Sequence, residues 1–240
     1  MALFPTRAAF LHEPPHLLHQ LNRLPHLCSI IAIGTPIFPY TEQTFSFGGQ
    51  DVRLCIPEAV AVQAHYVEQP QQAFWSRVWP AAEALCQFIA RHTNEIRGKK
   101  VWELAAGLGL PSVLAAHWAY SVYCSEQQPA AIPYINLSAI KNGLSNLKVA
   151  AGSWEDIPAT IDADILLLSD VNYDPRHFPA LQKSLLNIID QGIPVWLSTP
   201  QRLMAKPFVE SLLPYCTYRE EVLVSKDQLP MQVWILQNNT

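Results

Sequence analysis

Three short stretches carry residues whose types and spacing could do chemistry. The first is Val101-Trp102-Glu103-Leu104-Ala105-Ala106-Gly107-Leu108-Gly109-Leu110-Pro111. An apolar run ends at an acid, enters a turn of small residues and meets a proline suited to the first turn of a helix. Small residues let a backbone approach a ligand closely, and glycine opens dihedrals closed to other residues. The run is not GxGxxG, because Ala105 holds one glycine position, and no Gly-Lys-Ser/Thr follows to build a phosphate loop. A tight strand-to-helix turn with no ligand is the alternative reading. The second stretch is Glu126, seventeen residues beyond Gly109 and just after Cys124-Ser125. An acid at the end of a neighbouring strand can accept hydrogen bonds from both ribose hydroxyls of an adenosine cofactor; without that neighbour it would be an ordinary solvated acid. The third is Ser169-Asp170-Val171-Asn172-Tyr173, which closes a strongly apolar run with an acid and a phenol.

These residues need elements to hold them, and from about residue 70 the chain alternates between helical and strand patterns. A helix is expected from Pro80 to Thr93, with Ala81, Leu85, Phe88 and Ile89 on one face. Lys100–Leu104, Ser121–Cys124, Leu147–Ala150, Ala163–Ser169 and Pro194–Ser198 read as short strands, and Pro111–Trp118, Pro129–Lys141, Phe178–Asp190 and Leu203–Leu213 as helices. Five strands separated by helices imply right-handed crossovers and a parallel sheet covered on both faces. Tyr218–Val224 and Met231–Leu236 have only residues 225–230 between them, too few for a crossover, so they pair antiparallel. The chemistry then gathers at the carboxyl ends of the strands, near the topological switch point. Upstream, Thr44–Phe47 and Val52–Ile56 flank Gly48-Gly49 as a β-hairpin. Before it lies an arm in which prolines 5, 14, 15, 25, 36 and 39 forbid a long helix. The expected division is an arm and hairpin over residues 1–69 and an α/β domain over 70–240.

Composition narrows the class of function. Of the 240 residues, 50% are hydrophobic, ample for a core, while charged residues reach only 15% against about 25% in an average soluble protein. So little surface charge favours contact with a partner or a second copy, which makes a homo-oligomer a candidate. The net charge of −4 gives no general grip on phosphate backbones, so no nucleic acid is expected. Five scattered cysteines without a CxxC pair argue against a disulfide framework or a zinc site and suit a reducing cytoplasm. Histidines 12, 16, 19 and 26 share no helical frame, because Pro14 and Pro15 break it, and no metal site is expected. Leu104–Ser125 holds no Asp, Glu, Lys or Arg, yet Gly107, Gly109, Pro111 and His117 punctuate it as strand, turn, helix and strand and not as a membrane span.

The order Trp79-Pro80-Ala81-Ala82, the Glu103–Pro111 turn, Ser125-Glu126, Asn136, Ser153-Trp154 and Ser169-Asp170-Val171-Asn172-Tyr173 resembles the seven-strand S-adenosylmethionine-dependent methyltransferases. More narrowly it resembles the protein lysine methyltransferase branch, methyltransferase family 16, and its bacterial relatives. The resemblance covers roughly residues 70–215. It implies a Rossmann-like, doubly wound seven-strand sheet, mostly parallel with one antiparallel strand, with the N-terminal arm and β-hairpin outside it. It also implies S-adenosylmethionine as cofactor and an amine of a protein or small molecule as methyl acceptor.

Position by position, the resemblance puts Glu103 near the methionine amino end, with Ala105 to Gly107 lining the path of the methionine and ribose and Gly109 completing the turn. Glu126 would hold the ribose, Ser153 and Trp154 would flank the adenine, Ser169 would lie beneath the sulfonium, and Trp79 would close the methionine end. Two positions depart from the pattern: Ala105 replaces a usual glycine, and Ser153 stands where an acid often contacts the adenine amino group. Asp170 and Tyr173 are the expected catalytic pair, the acid attracting and orienting a cationic amine and the ring walling its channel. They could equally form a structural turn, with Asp170 capping the segment before Pro175 or bonding nearby amides. Trp79, Trp102, Trp154 and Trp196 also have a plain reading as core residues, and Trp102 points into packing. Against a base-methylating enzyme, the segment after the fourth strand has no prolines between Asp170 and Tyr173. A small-molecule or nucleobase methyltransferase and a cofactor-binding protein without catalysis are the alternatives.

Overall fold

The hairpin expected around Gly48-Gly49 forms from β1 (Tyr40–Phe47) and β2 (Gln50–Pro57), paired antiparallel from Tyr40 opposite Pro57 to Phe47 opposite Gln50. The computed structural model describes residues 34–158, 160–224 and 228–238, so the arm up to residue 33, with its histidines and Cys28, lies outside the described residues. The hairpin is a sheet of its own, and it is seated by polar bonds as well as by Val52 and Leu54, both fully buried. The Asn142 side chain accepts the Arg53 N–H at 2.9 Å and donates to the Arg53 carbonyl at 2.7 Å, and the Ser138 hydroxyl accepts the Cys55 N–H at 2.9 Å. Residues 35–240 make one compact unit that includes the hairpin.

The main sheet has seven strands: β3 (Lys100–Leu104), β4 (Ser121–Glu126), β5 (Leu147–Ala151), β6 (Ile165–Ser169), β7 (Val195–Pro200), β8 (Cys216–Val224) and β9 (Leu229–Leu236). Their order is β5-β4-β3-β6-β7-β9-β8, with β9 antiparallel to both of its neighbours and all other pairs parallel. Ile165 to Leu168 are buried throughout, as a central parallel strand requires. The order reverses at the β3–β6 junction, where the carboxyl ends of adjacent strands feed connections running to opposite sides.

Helices α1 (Ala59–His65), α2 (Pro80–Arg91), α3 (Thr93–Ile96), α4 (Leu110–Ala115), α5 (Ile132–Lys141), α6 (Phe178–Asp190) and α7 (Lys206–Leu212) complete the described elements. The face expected for α2 is the one observed: Ala81, Leu85, Phe88 and Ile89 are at most 1% exposed. Pro80 begins α2 where a missing N–H costs no helical bond. Residues of α2, α4 and α5 form one apolar cluster together with the hairpin; those of α6 and α7 form a second with Trp154 and Trp234.

Helices lie on both faces, but β5 and β6 are not separated by one, which corrects the expectation of five strands each separated by helices. Among its described residues, the link from β5 to β6 holds a single 3-10 turn, Trp154–Asp156, because Gly152 and Pro158 break a segment already short for a helix. A hollow remains there, lined by Lys100, Trp102, Tyr120, Tyr123 and Lys148 among others. Trp102 is therefore half-buried, its Nε1–H donating to the Ser125 hydroxyl at 2.9 Å and its ring meeting Tyr123 edge-on at 5.2 Å. Among the described residues, no helix is long and apolar enough to cross a membrane.

Candidate active site

A cavity of about 580 Å³ opens at the carboxyl ends of the parallel strands. Each strand delivers part of its wall: Ala105 to Leu108 after β3, Glu126 to Gln128 around the end of β4, Gly152 to Trp154 after β5, Ser169 to Val171 and Tyr173 around the end of β6, and Arg202 after β7. The segment before α2, including Phe74, Arg77 and Trp79, closes the remaining side. Its size falls within the roughly 300–1,000 Å³ usual for small-molecule and cofactor sites.

The turn after β3 is held in a conformation that few side chains tolerate. Ala105 has φ 55°, and Gly107 and Gly109 have φ 57° and 68°. At Gly107 a Cβ would lie 3.3 Å from the Trp75 carbonyl oxygen, and at Gly109 it would lie 3.0 Å from Ile135 Cγ2. Glycine is required at both on backbone and packing grounds, whereas Ala105 sits in the left-handed region with its methyl in place. Gly109 faces α5 and is not part of the cavity wall.

Glu126 ties this turn to the next one. Its Oε2 accepts the Gly107 N–H at 2.8 Å and its Oε1 accepts the Gln128 N–H at 2.9 Å. Burial pushes the Glu126 carboxyl up, while the Gln128 and Gly107 amides pull it back. A carboxylate has about four lone-pair sites, so both oxygens keep acceptor capacity toward the cavity.

Glu103 behaves differently. It is fully buried, outside the cavity lining, with Oε2 accepting the Ser112 N–H at 2.8 Å in the first turn of α4 and Oε1 left without a hydrogen-bond partner. Burial pushes its pKa up to about 8, opposed by the bonds from Ser112 and reinforced by the nearby Glu126 charge. Glu103 therefore braces the turn from beneath, behind the cavity lining.

The aromatic residues form two groups. Trp154 is buried against α6: its carbonyl accepts the Ser184 hydroxyl at 3.0 Å, its ring meets His177 edge-on at 5.5 Å, and its indole N–H has no partner. Ser153 accepts the Glu155 N–H at 3.2 Å and so starts the turn that presents Trp154. Across the cavity, Phe74 meets Trp79 edge-on at 5.8 Å and Tyr173 edge-on at 5.7 Å, while the Trp79 N–H donates to the Phe74 carbonyl at 2.9 Å. The Arg77 guanidinium lies 5.3 Å from the centre of the Trp79 ring. Phe74 joins the two rings singled out in the sequence, Trp79 and Tyr173, into one wall.

Asp170 follows β6 with φ 54°, its N–H donating to the Ser198 carbonyl at 2.9 Å. Its carboxylate is gripped by both terminal nitrogens of Arg202, one of the two bonds being 3.0 Å from Nη2 to Oδ2. The acid expected to await a cation already holds one. Asp170 does not cap the following turn: that role belongs to Asp174, which accepts the Arg176 N–H at 3.0 Å.

A family model described as lysine methyltransferase matches residues 62–212, a span that contains the whole cavity wall. The chain belongs to the lysine methyltransferase family. Among curated relatives, the Homo sapiens histone-arginine methyltransferase METTL23 is 32% identical over 143 residues, covering 57% of this chain and 75% of that protein. The Mus musculus EEF1A lysine methyltransferase 3 is 31% identical over 145 residues, covering 58% and 62%. Among solved structures, a T. Thermophilus 16S rRNA N2 G1207 methyltransferase in complex with AdoMet and guanosine matches with a TM-score of 0.56 at 16% identity, over 83% of this chain and 51% of that one. That last likeness is one of fold.

This lysine methyltransferase family member is an S-adenosylmethionine-dependent enzyme, and its cavity fits the cofactor. Glu126 offers spare acceptor sites beside a turn held tightly against Trp75 at Gly107, and Trp154, whose buried indole N–H has no hydrogen-bond partner, lines the same cavity. Of the residues singled out in the sequence, Trp79, Ala105, Gly107, Glu126, Ser153, Trp154, Ser169, Asp170 and Tyr173 line one cavity, while Glu103 and Gly109 stand behind it. Sequence reasoning did not reach Phe74, Arg77 or Arg202. Phe74 sits in a 3-10 segment, Pro70–Ser76, without a readable period, and Arg202 is 32 positions from the acid that it pairs with.

Proposed function

We propose that the family member methylates the side-chain amine of a protein lysine in this cavity. Bound S-adenosylmethionine supplies an electrophilic methyl group carried on a sulfonium. Glu126 would take the ribose hydroxyls with its spare lone pairs, and Ser153 and Trp154 would flank the adenine. The backbone from Ala105 to Gly107 would line the methionine–ribose path, with Trp79 closing its end and Ser169 beneath the sulfonium. Glu103 would act through the turn that it braces.

The observation that carries the reading is the placement of Asp170 and the Phe74–Trp79–Tyr173 wall in the same cavity as Glu126. Lysine has a pKa of about 10.4, so fewer than about one in a thousand is neutral at pH 7. The pocket must admit the side chain, let its proton go and align the lone pair at about 3–3.5 Å from the methyl carbon. Aromatic faces receive the cationic form without binding its proton, and Asp170 orients the nitrogen from the end of β6. The test is incubation with labelled S-adenosylmethionine and a fractionated cell extract, followed by mass spectrometry. Methyllysine in a protein fraction is the expected result; label confined to small molecules or RNA would overturn it.

Arginine is the second reading. A guanidinium already sits on Asp170 through both of its terminal nitrogens, so this carboxylate suits that fork, and one relative is named a histone-arginine methyltransferase. The same spectra separate methylarginine from methyllysine. A cytosolic site of action agrees with the free thiols at Cys55, Cys86, Cys124 and Cys216.

A further inference from the structure

We infer that Arg202 is a resident competitor for the substrate's cation, tuning how strongly Asp170 can hold a charged amine. The inference rests on the reading of Asp170 as the acid that meets the substrate. Two features of the pair support it. First, the acid is fixed and the base is not. Asp170 is anchored by its N–H on Ser198 and by a left-handed backbone, and its side chain is 9% exposed. The Arg202 side chain is 30% exposed and begins the surface turn Leu203–Ala205, where Leu203 is 91% exposed. Arg202 can leave toward solvent, whereas Asp170 has only the cavity to face.

Second, the other acids of the wall keep backbone partners. Glu126 is held by the Gly107 and Gln128 amides, and Asp174, which also pairs with the Arg176 side chain, by the Arg176 N–H. Arg77 lies over Trp79. The Asp170 carboxylate is thus the wall acid held by a side-chain guanidinium without a backbone amide, so an incoming cation meets it by exchange with Arg202.

The consequence for the reaction concerns the proton. An uncompensated carboxylate beside the acceptor would hold a lysine as its ammonium, which has no lone pair to give. A guanidinium on that carboxylate cancels most of this attraction. Arg202 acts through Asp170 and is a positioning residue: it weakens binding of the unreactive cation and leaves the carboxylate in place to orient the nitrogen.

The test uses n-butylammonium as the lysine side-chain probe, titrated calorimetrically at pH 7 into the full chain loaded with S-adenosylhomocysteine. Arg202→Gln should bind the probe at least tenfold more tightly than wild type. Arg202→Lys should stay near wild type, and Asp170→Asn with Arg202→Gln should lose the gain. A second measurement needs no variant: saturating n-butylammonium should speed phenylglyoxal modification of Arg202 several-fold in the wild-type protein, read by mass spectrometry, because the displaced guanidinium is freed. Probe affinity within twofold in Arg202→Gln overturns the inference. So does an unchanged rate of modification at Arg202, which decides the matter should Arg202→Gln fail to fold. The labelled-methyl experiment judges the lysine reading separately, since it does not depend on Arg202.

Discussion

Replacing Glu103 by Gln should make the enzyme more stable at pH 8 than it now is, without altering the turn that Glu103 braces. The glutamine oxygen can still accept the Ser112 N–H bonded at 2.8 Å, so the brace at the start of α4 is kept. What changes is the charge. The Glu103 pKa rises from an ordinary 4.5 to about 8 because the group is fully buried. Between those values the folded protein holds a proton that the unfolded chain has released, so wild-type stability falls as pH climbs through the window and levels off outside it. Each pH unit inside the window costs about 1.4 kcal/mol, giving a total of about 3–5 kcal/mol. Titrating groups that do not interact with Glu103 are common to both proteins and cancel in their difference. Urea melts at pH 5, 6.5 and 8 read it directly: the advantage of Glu103→Gln over wild type should widen by about 3–5 kcal/mol from the lowest to the highest pH. Parallel stability curves for the two proteins would refute the buried, proton-holding acid.

Three further outcomes follow from the same geometry. Ala105→Gly relieves a left-handed alanine at φ 55° and should stabilise the fold by about 1 kcal/mol in urea melts. Glu126→Gln removes a charged acceptor from the cavity and should weaken S-adenosylmethionine by about 1.5–3 kcal/mol, roughly ten- to a hundredfold, by calorimetry. Asp170→Asn tolerates the left-handed backbone and should cut methyl transfer by roughly 100-fold while cofactor affinity stays within about twofold of wild type, a split that steady-state kinetics beside calorimetry will show.

Much of the site was readable before folding because its signals are local. The turn Ala105–Gly109 declares itself through small residues between an apolar strand and Pro111, and Glu126 through its distance along the chain from that turn. Strand and helix boundaries follow periodicity, so α6 runs over the expected Phe178–Asp190, whereas the helix expected over Leu203–Leu213 keeps only Lys206–Leu212 behind a 3-10 turn. What stayed hidden was pairing across the sheet. Arg202 meets Asp170 because β6 and β7 are neighbours, with Ser169 opposite Ser198, and no sequence period encodes that adjacency. The resemblance put Glu103 near the methionine amino end; its side chain lies buried under α4 with Oε2 on the Ser112 N–H, a placement that no local pattern encodes. The hairpin was visible, but its hydrogen bonds to Asn142 and Ser138 join residues more than 80 positions apart.

The bare link after β5 has a consequence for how the molecule breathes. β5 is an edge strand, bonded on one side to β4 alone, and its exposed Lys148 and Ala151 contrast with the wholly buried Ile165–Leu168 of β6. Little apolar surface must be wetted to release it, so its opening lies well below global unfolding on the free-energy scale. Gly152 and Ser153 follow β5 directly, but Trp154 is buried against α6 with its carbonyl on the Ser184 hydroxyl, whereas the Ala105–Gly109 turn and Asp170 hang from strands paired on both sides. The wall from Gly152 to Trp154 is therefore hung from an edge strand at one end and pinned to α6 at the other. A local excursion of β5 reaches Gly152 and Ser153, while Trp154, Asp170 and the turn after β3 keep their positions.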